Sequence, residues 1–398
     1  MKRKNVLIGF GGALSAPEVT WSLLEHGFKV TAFCRKGDRP PLRHIKDVTI
    51  IDVVPPETDA WKTVEQLRSA IHAENVDAIL PLDDASVWLC HELSKKTDIP
   101  IAGATGEGTR LALDKKFQIE VAEKAGFNVP HTTFINGEHD ISDSIDLPVI
   151  IKPSKAVYLK EDKLCKGDIY FCREKDDYGR AVDNLDFDVP MMVQPIIAGV
   201  GEGVFGINTP QGVKNWSAHK RLRMMNPLGS GSSACMSLRI NDQPIRETET
   251  ILNRVKWSGL FMVELLRDLH GTMWFMEFNG RAWGSMALAI RLGLHYPAWT
   301  VMQTLDPLFT VPDHTFPKQS IVCRHLGRDI IHLLAVLRGK KEYSLIPDFS
   351  KMKTIRQFFS FGRNEKLYNR HKGYSFLFWE DTVKTVTGTI FSKIKANN

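Results

Sequence analysis

The sequence contains few cysteines, and none of them forms a recognisable pair. The six cysteines are spread irregularly over 398 residues, at Cys34, Cys90, Cys165, Cys172, Cys235 and Cys323. The absence of a C-x-x-C motif excludes a zinc ribbon and a thioredoxin-type redox site, and six cysteines in a chain of this length do not form a disulfide framework. We therefore expect the chain to work in a reducing, cytoplasmic setting.

Long apolar runs are also absent. No stretch reaches the ~18 uninterrupted apolar residues that a membrane-spanning helix requires. The run Val6–Ala16 follows a basic start, as in a signal peptide, but three glycines interrupt it, and we interpret it as a strand followed by a glycine turn. Because 43% of the residues are hydrophobic, the chain is not expected to be intrinsically disordered over most of its length. Its length predicts roughly two or three domains.

Over most of the sequence neither positive nor negative residues are in large excess. The 52 basic and 46 acidic residues leave a formal net charge of +6, which is too small and too dispersed to indicate a nucleic-acid-binding protein. From His314 onward, however, 16 basic residues face 6 acidic ones, so this part carries +10 and the preceding part −4. We expect no nucleic-acid partner, and any acidic partner should contact the C-terminal part.

The first hundred residues alternate apolar runs with helical patterns, which is typical of a parallel sheet with helical crossovers. The Gly9-x-Gly11-Gly12 turn after the first run falls short of a dinucleotide fingerprint, because position 14 is leucine. A Rossmann-like sheet without a bound dinucleotide is therefore expected. The predicted strands are Asn5–Phe10, Lys29–Cys34, Ile50–Val54 and Ala78–Pro81, and the predicted helices are Pro17–His26 and Trp61–Glu74.

The rest of the chain divides by composition. After a linker at Ile101–Gly108, Asp114 is a plausible N-cap for a helix over Lys115–Ala125. Buried strands are predicted at Leu147–Lys152 and Met191–Gln194. We expect a first domain over residues 1–107, a central domain over 108–311 with subdomains 108–190 and 191–311, and a basic, mainly helical extension over 312–398.

The most informative segment is a predicted hairpin between residues 261 and 281. Two apolar runs flank His270-Gly271, and if these two residues form the loop, Glu264 lies directly opposite Glu277. Because side chains alternate along a strand, Asn279 shares the face of Glu277, and Arg281 continues it.

Two carboxylates in direct opposition repel each other, and a divalent cation would remove that repulsion. Carboxylate and amide oxygens suit Mg²⁺ or Mn²⁺ better than zinc, and Mg²⁺ usually completes its shell with water and substrate phosphates. The alternative is that the two glutamates only occupy a solvated face. The apolar residues around them favour the metal site.

Together these residues resemble the ATP-grasp carboxylate–amine (or carboxylate–thiol) ligases, in the branch that includes carbamoyl-phosphate synthase. The resemblance covers residues 1–310. Glu264 with Glu277-Phe-Asn279-Gly-Arg281 and Gly284-Ser285 is similar to the family signature E…E-x-N-x-R…G-S. Three further segments match in order: Asp114-Lys115, Pro148-Val-Ile-Ile-Lys152-Pro and Met191-Met-Val-Gln194-Pro-Ile-Ile-Ala-Gly199.

The resemblance implies an α/β protein with a Rossmann-like pre-ATP-grasp domain, a two-subdomain ATP-grasp fold and a C-terminal, mainly helical extension. It further implies an ADP-forming ligase that uses ATP and Mg²⁺ (or Mn²⁺) to activate a small-molecule carboxylate as an acylphosphate. An amine, such as an amino acid or peptide, would then displace phosphate. The alternative is a catalytically inactive ATP-binding scaffold or regulatory protein with the same fold.

The resemblance also implies roles for individual residues. Lys115 and Lys152 would contact the α- and β-phosphates, and Arg281 would stabilise the γ-phosphate during transfer, so Lys152 and Arg281 are the catalytic candidates. The other candidates are an adenine-reading hinge at Gln194, Pro195, Ile196 and Ile197, a ribose ligand at Glu202, and metal ligands at Glu264, Glu277 and Asn279.

Two features depart from the commoner family pattern. Gly280 stands where many relatives have proline, which spares the ligands on either side. The loop Ser154–Gly167, which would cover the phosphates, is rich in lysine where the biotin-carboxylase branch has a glycine run. No biotin-carrier motif is present, so carboxylation is not expected.

Two further segments carry open alternatives. The basic stretch His219–Arg223, followed by Gly229–Ser233, is either an anion site for a substrate carboxylate or a charged strand beside a surface loop. Asp83 and Asp84 end a predicted parallel strand, where α/β sheets place ligands. One of them either binds an amine or caps the following helix, and we favour the cap.

The C-terminal part mixes basic residues with aromatic ones, eight of which lie between Phe358 and Trp379. We expect this part to pack across the central domain, with the aromatic side chains buried. The alternative is a peripheral membrane contact, which basic and aromatic side chains together can form.

Overall fold

The first domain is built around a four-stranded parallel sheet. The computed structural model describes residues 2–142, 145–226, 230–240, 242–339, 350–360 and 362–396. The strand order is β3-β2-β1-β4, which confirms the predicted Rossmann-like sheet. The elements are β1 (Asn5–Gly9), α1 (Ala16–Glu25), β2 (Lys29–Arg35), β3 (Val48–Val53), α2 (Ala60–Ala73), β4 (Ala78–Pro81) and α3 (Asp84–Ser94).

The small subdomain holds a separate antiparallel sheet in the order β5-β10-β6-β9. It has a hydrophobic core of its own, formed by its strands and one helix. A two-stranded hairpin, β7-β8, projects from it. The elements are α4 (Glu107–Leu113), α5 (Lys115–Lys124), β5 (Thr133–Ile135), β6 (Val149–Pro153), β7 (Tyr158–Lys160), β8 (Lys163–Cys165), β9 (Tyr170–Cys172), α6 (Lys175–Val182) and β10 (Met191–Pro195).

The large sheet has seven strands among the described residues, in the order β15-β14-β11-β12-β13-β16-β17, and the last two, β16 (Val322–Arg324) and β17 (Glu365–Leu367), come from the C-terminal part. One face packs with α8 and α9 into a core shared with the first domain, and the other face packs against α5 and α7. The elements up to α9 are β11 (Gly199–Thr209), β12 (Gly212–Asn226), β13 (Ser230–Leu238), α7 (Asp242–Arg254), β14 (Gly259–Asp268), β15 (Met273–Asn279), α8 (Met286–Arg291) and α9 (Tyr296–Leu305).

The C-terminal part is joined to the large sheet. It supplies the two strands at one edge, β16 (Val322–Arg324) and β17 (Glu365–Leu367), in addition to the helices α10 (Leu326–Arg338), α11 (Lys351–Phe359) and α12 (Ser375–Ala396). A buried carboxylate, Asp329, receives hydrogen bonds from Arg324 of β16 (2.7 Å) and from Arg223 of β12 (2.9 and 2.8 Å). The part predicted as a mainly helical extension thus contributes sheet as well.

The aromatic side chains of this part have two environments. Tyr368 and Phe378 are buried, as expected, whereas Phe359, Phe376 and Trp379 are exposed. The expectation of general burial is therefore wrong for these three. No helix among the described residues is both long and apolar enough to cross a membrane.

Candidate active site

The hairpin that carries the predicted metal ligands is formed by β14 and β15. Glu264 pairs directly with Glu277, as predicted. The loop is not the predicted His270-Gly271. It comprises Leu269–Gly271, and the Asp268 N–H closes it by donating to the carbonyl of Thr272 at 2.9 Å. A β-bulge at Met276 adds one residue to β15 and restores the predicted pairing.

The oxygen donors expected for a metal lie on one face of this hairpin. Glu264 and Glu277 are opposite each other, and Asn279 pairs with Met262, two residues before Glu264. Asn279 is only 7% exposed. Among the described residues no group of three or more histidine, cysteine or acidic side chains could hold a metal, so the donor set here is two carboxylates and one amide. Such an incomplete oxygen set fits Mg²⁺, which keeps several waters or phosphate oxygens.

Two lysines lie near these carboxylates, Lys152 on the small sheet and Lys115 on α5, which packs against the large sheet. Lys115 begins α5, and its backbone N–H donates to the carbonyl of Ser154, just beyond Lys152 on β6. Burial and, to a smaller extent, the nearby charge of Lys115 lower the pKa of Lys152 to about 8, while Glu277 and Glu264 oppose the shift. The structure therefore brings together four residues that the sequence places far apart.

Arg281 follows β15 and contacts a carboxylate of the first domain. Its Nε lies 2.7 Å from Oδ1 of Asp84, at the start of α3. Burial would raise the pKa of Asp84, but Arg281, with Lys166 and Lys115, outweighs burial and lowers it. Asp84 also contributes to a raised pKa of Arg281. This ion pair connects the first domain with the face that carries the glutamates.

The sequence left open whether Asp84 contacts a ligand, and it placed Lys166 only within the loop expected to cover the phosphates. The cap expected at one of the two aspartates is Asp83, which accepts a hydrogen bond from the Ser86 backbone N–H at 2.8 Å. Asp84 is thereby left to face Arg281. Its position at the carboxyl end of a parallel strand indicated a ligand site, but nothing in the sequence indicated its pairing with Arg281. Lys166 gave no comparable signal.

The predicted hinge joins the two sheets. The segment Gln194–Ile197 leads from β10 of the small sheet to β11 of the large one. The Gln194 side chain donates to Thr132 Oγ1 at 2.8 Å. The Ile196 N–H donates to the carbonyl of Pro148 at 3.0 Å, so this group is engaged within the protein and cannot read an adenine edge as expected. Pro195 is exposed at the turn.

Glu202 lies on the opposite face of the large sheet. It pairs with Leu265 on β14, whereas the neighbouring Gly203 pairs with Glu264, so alternation sends the two glutamate side chains to different faces. Glu202 forms a bidentate ion pair with Arg267, with both N–O distances 2.9 Å. The prediction of Glu202 as a ribose ligand is therefore corrected, since its face is separated from the metal ligands by the sheet itself.

The predicted basic cluster on β12 is divided by the fold. Arg221 contacts Glu264, with Nη2 and Oε1 2.6 Å apart. His219 is buried beside Ser285, and burial lowers the pKa of His219 to about 3. Arg223 is held by Asp329, as is Ser233, so these two residues stabilise the sheet edge. Gly229 lies outside the described residues.

The lysine-rich loop is the β7-β8 hairpin, and its tip contacts the first domain. The carbonyl of Asp162 accepts the Ala60 N–H at 2.7 Å, and its carboxylate accepts Trp61 Nε1 at 2.9 Å. The Leu164 N–H donates to Pro56 at 2.8 Å. These contacts hold the hairpin over the edge of the first domain. Lys166, which follows the hairpin, is close enough to Asp84 for its charge to help lower the pKa of that carboxylate.

Solved structures are similar to this chain in fold. An L-amino acid ligase from Bacillus licheniformis is 15% identical over 77% of this chain and 75% of its own, with a TM-score of 0.61. N5-carboxyaminoimidazole synthetase from Staphylococcus aureus is 15% identical, covering 86% and 87%, with a TM-score of 0.62. Biotin carboxylase from Campylobacter jejuni is 16% identical, covering 81% and 75%, with a TM-score of 0.60.

These neighbours are ATP-grasp enzymes. The chain has the ATP-grasp fold, which confirms the fold expected from the motifs. No protein-family model matches the sequence, and no curated protein matches it significantly.

Proposed function

We propose that the protein is an ADP-forming ATP-grasp ligase that activates a small-molecule carboxylate as an acylphosphate and joins it to an amine, such as an amino acid or peptide. The observation that supports the proposal best is the direct opposition of Glu264 and Glu277, with Asn279 on the same face and the half-buried Lys152 near them. Such an arrangement of like charges is costly unless cations balance it, and within the protein Arg221 balances it only in part.

Glu264, Glu277 and Asn279 would hold Mg²⁺ or Mn²⁺, because hard oxygen donors in an incomplete shell suit these ions. The metal would supply neutralisation of charge on the nucleotide phosphates. ATP would be the phosphoryl donor, with its adenine against the hinge between Gln194 and Ile197, where groups other than the Ile196 N–H would contact the base.

The cationic side chains of this chain would do the remaining electrostatic work. Lys115 and Lys152 would balance the α- and β-phosphates as compact charges. Arg281 would face the phosphoryl group during its transfer to the substrate carboxylate, where it stabilises developing negative charge. Asp84 would orient Arg281 for this role through the ion pair already formed. The lysine-rich hairpin, docked on the first domain, would exclude water from the phosphates.

The proposed reaction has two steps, phosphoryl transfer and amide formation. The substrate carboxylate oxygen would attack the γ-phosphorus of ATP, ADP would leave, and the amine nitrogen would then attack the acyl carbon and release inorganic phosphate. Positioning and charge neutralisation supply the rate. The named neighbours include a ligase of amino acids, which is in keeping with an amine as the second substrate.

The experiment is a measurement of ADP release by the purified full-length protein, with Mg²⁺ and ATP, against a panel of carboxylates combined with amines. We expect release with one combination, and at least a hundredfold loss of turnover in Glu277→Ala and in Lys152→Ala, since each removes a charge from the phosphate site. Glu65→Gln, on the exposed face of α2, is the control and should keep full turnover.

Unchanged turnover in both site variants would contradict the assignment of the site. Magnesium-dependent binding of ATP without ADP release in any substrate mixture would instead favour the catalytically inactive ATP-binding scaffold.

A further inference from the structure

An arginine crosses a strand of the large sheet to reach one of the proposed metal ligands. Arg221 is on β12 and Glu264 is on β14, and β11 lies between these strands. The side chain of Arg221 passes over Gly201: a Cβ atom there would lie 2.8 Å from Arg221 Cδ. Gly203, which pairs with Glu264, also lacks a side chain on this face. The glycines of β11 thus open the path between the two charges.

The pair on this face differs from the comparable pair on the other face. Arg267 and Glu202 form two parallel hydrogen bonds of 2.9 Å, the arrangement of a stable structural ion pair. Arg221 approaches Glu264 through one terminal nitrogen at 2.6 Å, and its buried Nε has no hydrogen-bond partner among the described residues. Its donors are therefore incompletely used, which is the expected state of a group that exchanges partners.

The surroundings explain why Glu264 holds a cation here. Glu264 and Glu277 face each other across the hairpin, and a guanidinium at 2.6 Å offsets part of their repulsion. The side chains of Arg221 and Glu264 remain 18% and 22% exposed, so ions and ligands can reach the pair. Next to it on the same strand face, the buried Nε2 of His219 also has no hydrogen-bond partner among the described residues.

We propose that Arg221 is the resident counter-cation of Glu264 in the ligand-free protein and is exchanged for the divalent cation. The inference rests on the proposed function and deepens it. A metal ion and a guanidinium repel each other at the same carboxylate, so metal binding at Glu264 displaces Arg221. The displaced guanidinium is then available to an anionic group of the substrate. Metal loading and binding of the acid are thereby coupled, each favouring the other.

The test is direct titration of the nucleotide-free, full-length protein with Mn²⁺, followed by electron paramagnetic resonance of the free ion. Removing the competing charge in Arg221→Met should tighten Mn²⁺ binding at least tenfold. Arg267→Met is the matched control, because it removes the arginine of the ion pair on the opposite face of the same sheet, and its Mn²⁺ affinity should stay within twofold of wild type.

A second variant changes the position of the Arg221 side chain without removing its charge. Gly201→Ala keeps the arginine but places a methyl group in the path of its side chain, and should tighten Mn²⁺ binding at least threefold. Thermal unfolding confirms that each variant is folded. Wild-type or weaker Mn²⁺ affinity in folded Arg221→Met and Gly201→Ala, or equal tightening in Arg267→Met, overturns the proposal.

The outcome is distinguishable from failure of the proposed function. If Arg221→Met tightens Mn²⁺ binding in a Glu264-dependent way but no substrate mixture gives ADP, the exchange holds and the ligase activity is wrong. If Glu277→Ala and Lys152→Ala lose ADP release but Arg221→Met leaves the Mn²⁺ affinity unchanged, the proposed ligase activity is supported and the proposed exchange is wrong.

Discussion

Lys152 is a half-buried ammonium group close to two carboxylates, Glu264 and Glu277. Burial lowers its pKa to about 8, more than two units below that of a free lysine, and Glu277 and Glu264 hold it from falling further. An isolated buried lysine would give up its proton more readily still. Phosphate oxygens placed beside it would favour the charged form, so its environment is suited to an anionic ligand that arrives and leaves.

The depressed pKa of Lys152 predicts how nucleotide affinity depends on pH. Below pH 8 the amine is charged and binds phosphate; above pH 8 the ligand-free protein holds a neutral amine, and binding must first recover a proton. The affinity for a non-hydrolysable ATP analogue should therefore fall about tenfold for each pH unit above 8. Calorimetry between pH 7 and 9.5 measures it.

Lys152→Met is the control for this dependence. This variant should bind more weakly at pH 7 and should show a much flatter profile above pH 8. An equally steep profile in the variant would assign the titration to another group.

The elements differ in how well the sequence predicts them. Asp114 caps α5, accepting the Phe117 N–H at 3.0 Å, because a local hydrogen bond of this kind follows from neighbouring residues alone. The hairpin has a loop one residue longer than predicted, which shifts the strand register by one. The bulge at Met276 shifts the register back, so Glu264 still pairs with Glu277 as predicted. A bulge has no reliable signal in one sequence.

Contacts between distant elements were not predictable in the same way. The face of Glu202 depends on the register of β11 against β14, which the whole sheet sets. The pairing of Arg281 with Asp84 depends on how the first domain sits against the large sheet, 197 residues away in sequence. Arg221 looked like one member of a basic run, and only the strand order shows that it reaches Glu264.

The last described helix offers a test of whether the C-terminal part is integral to the fold. On α12, Leu377 is 1% exposed within the core shared with the first domain, and its neighbour Phe376 is 67% exposed. Leu377→Ala should lower the free energy of unfolding by about 2–5 kcal/mol, because it leaves a cavity. Phe376→Ala, the matched control, should change it by less than about 0.5 kcal/mol. Urea unfolding measures both.

Equal, small effects in the two variants would contradict this packing and would indicate that the C-terminal helix is attached loosely. If Phe376→Ala instead abolished binding to anionic lipid vesicles without loss of stability, the exposed aromatic residues would be a membrane-contact surface.

The whole molecule places one site where three parts of the chain meet. The first domain supplies Asp84, the small sheet supplies Lys152, and the large sheet with its packed helix α5 supplies Glu264, Glu277, Arg281 and Lys115. Two hydrophobic cores each include residues of both the first domain and the large sheet, so their relative position is fixed by packing. The small subdomain has its own core and connects to the large sheet through the hinge.

The central claim is that the face carrying Glu264, Glu277 and Asn279 binds a divalent cation together with a nucleotide. The most direct measurement is an anomalous difference map from crystals of the full-length protein grown with Mn²⁺ and a non-hydrolysable ATP analogue. The account predicts a manganese peak within about 2.5 Å of oxygens from Glu264 and Glu277, with phosphate density extending towards Lys152. Bound nucleotide with manganese on another face, or manganese there without nucleotide contact to either lysine, would contradict it.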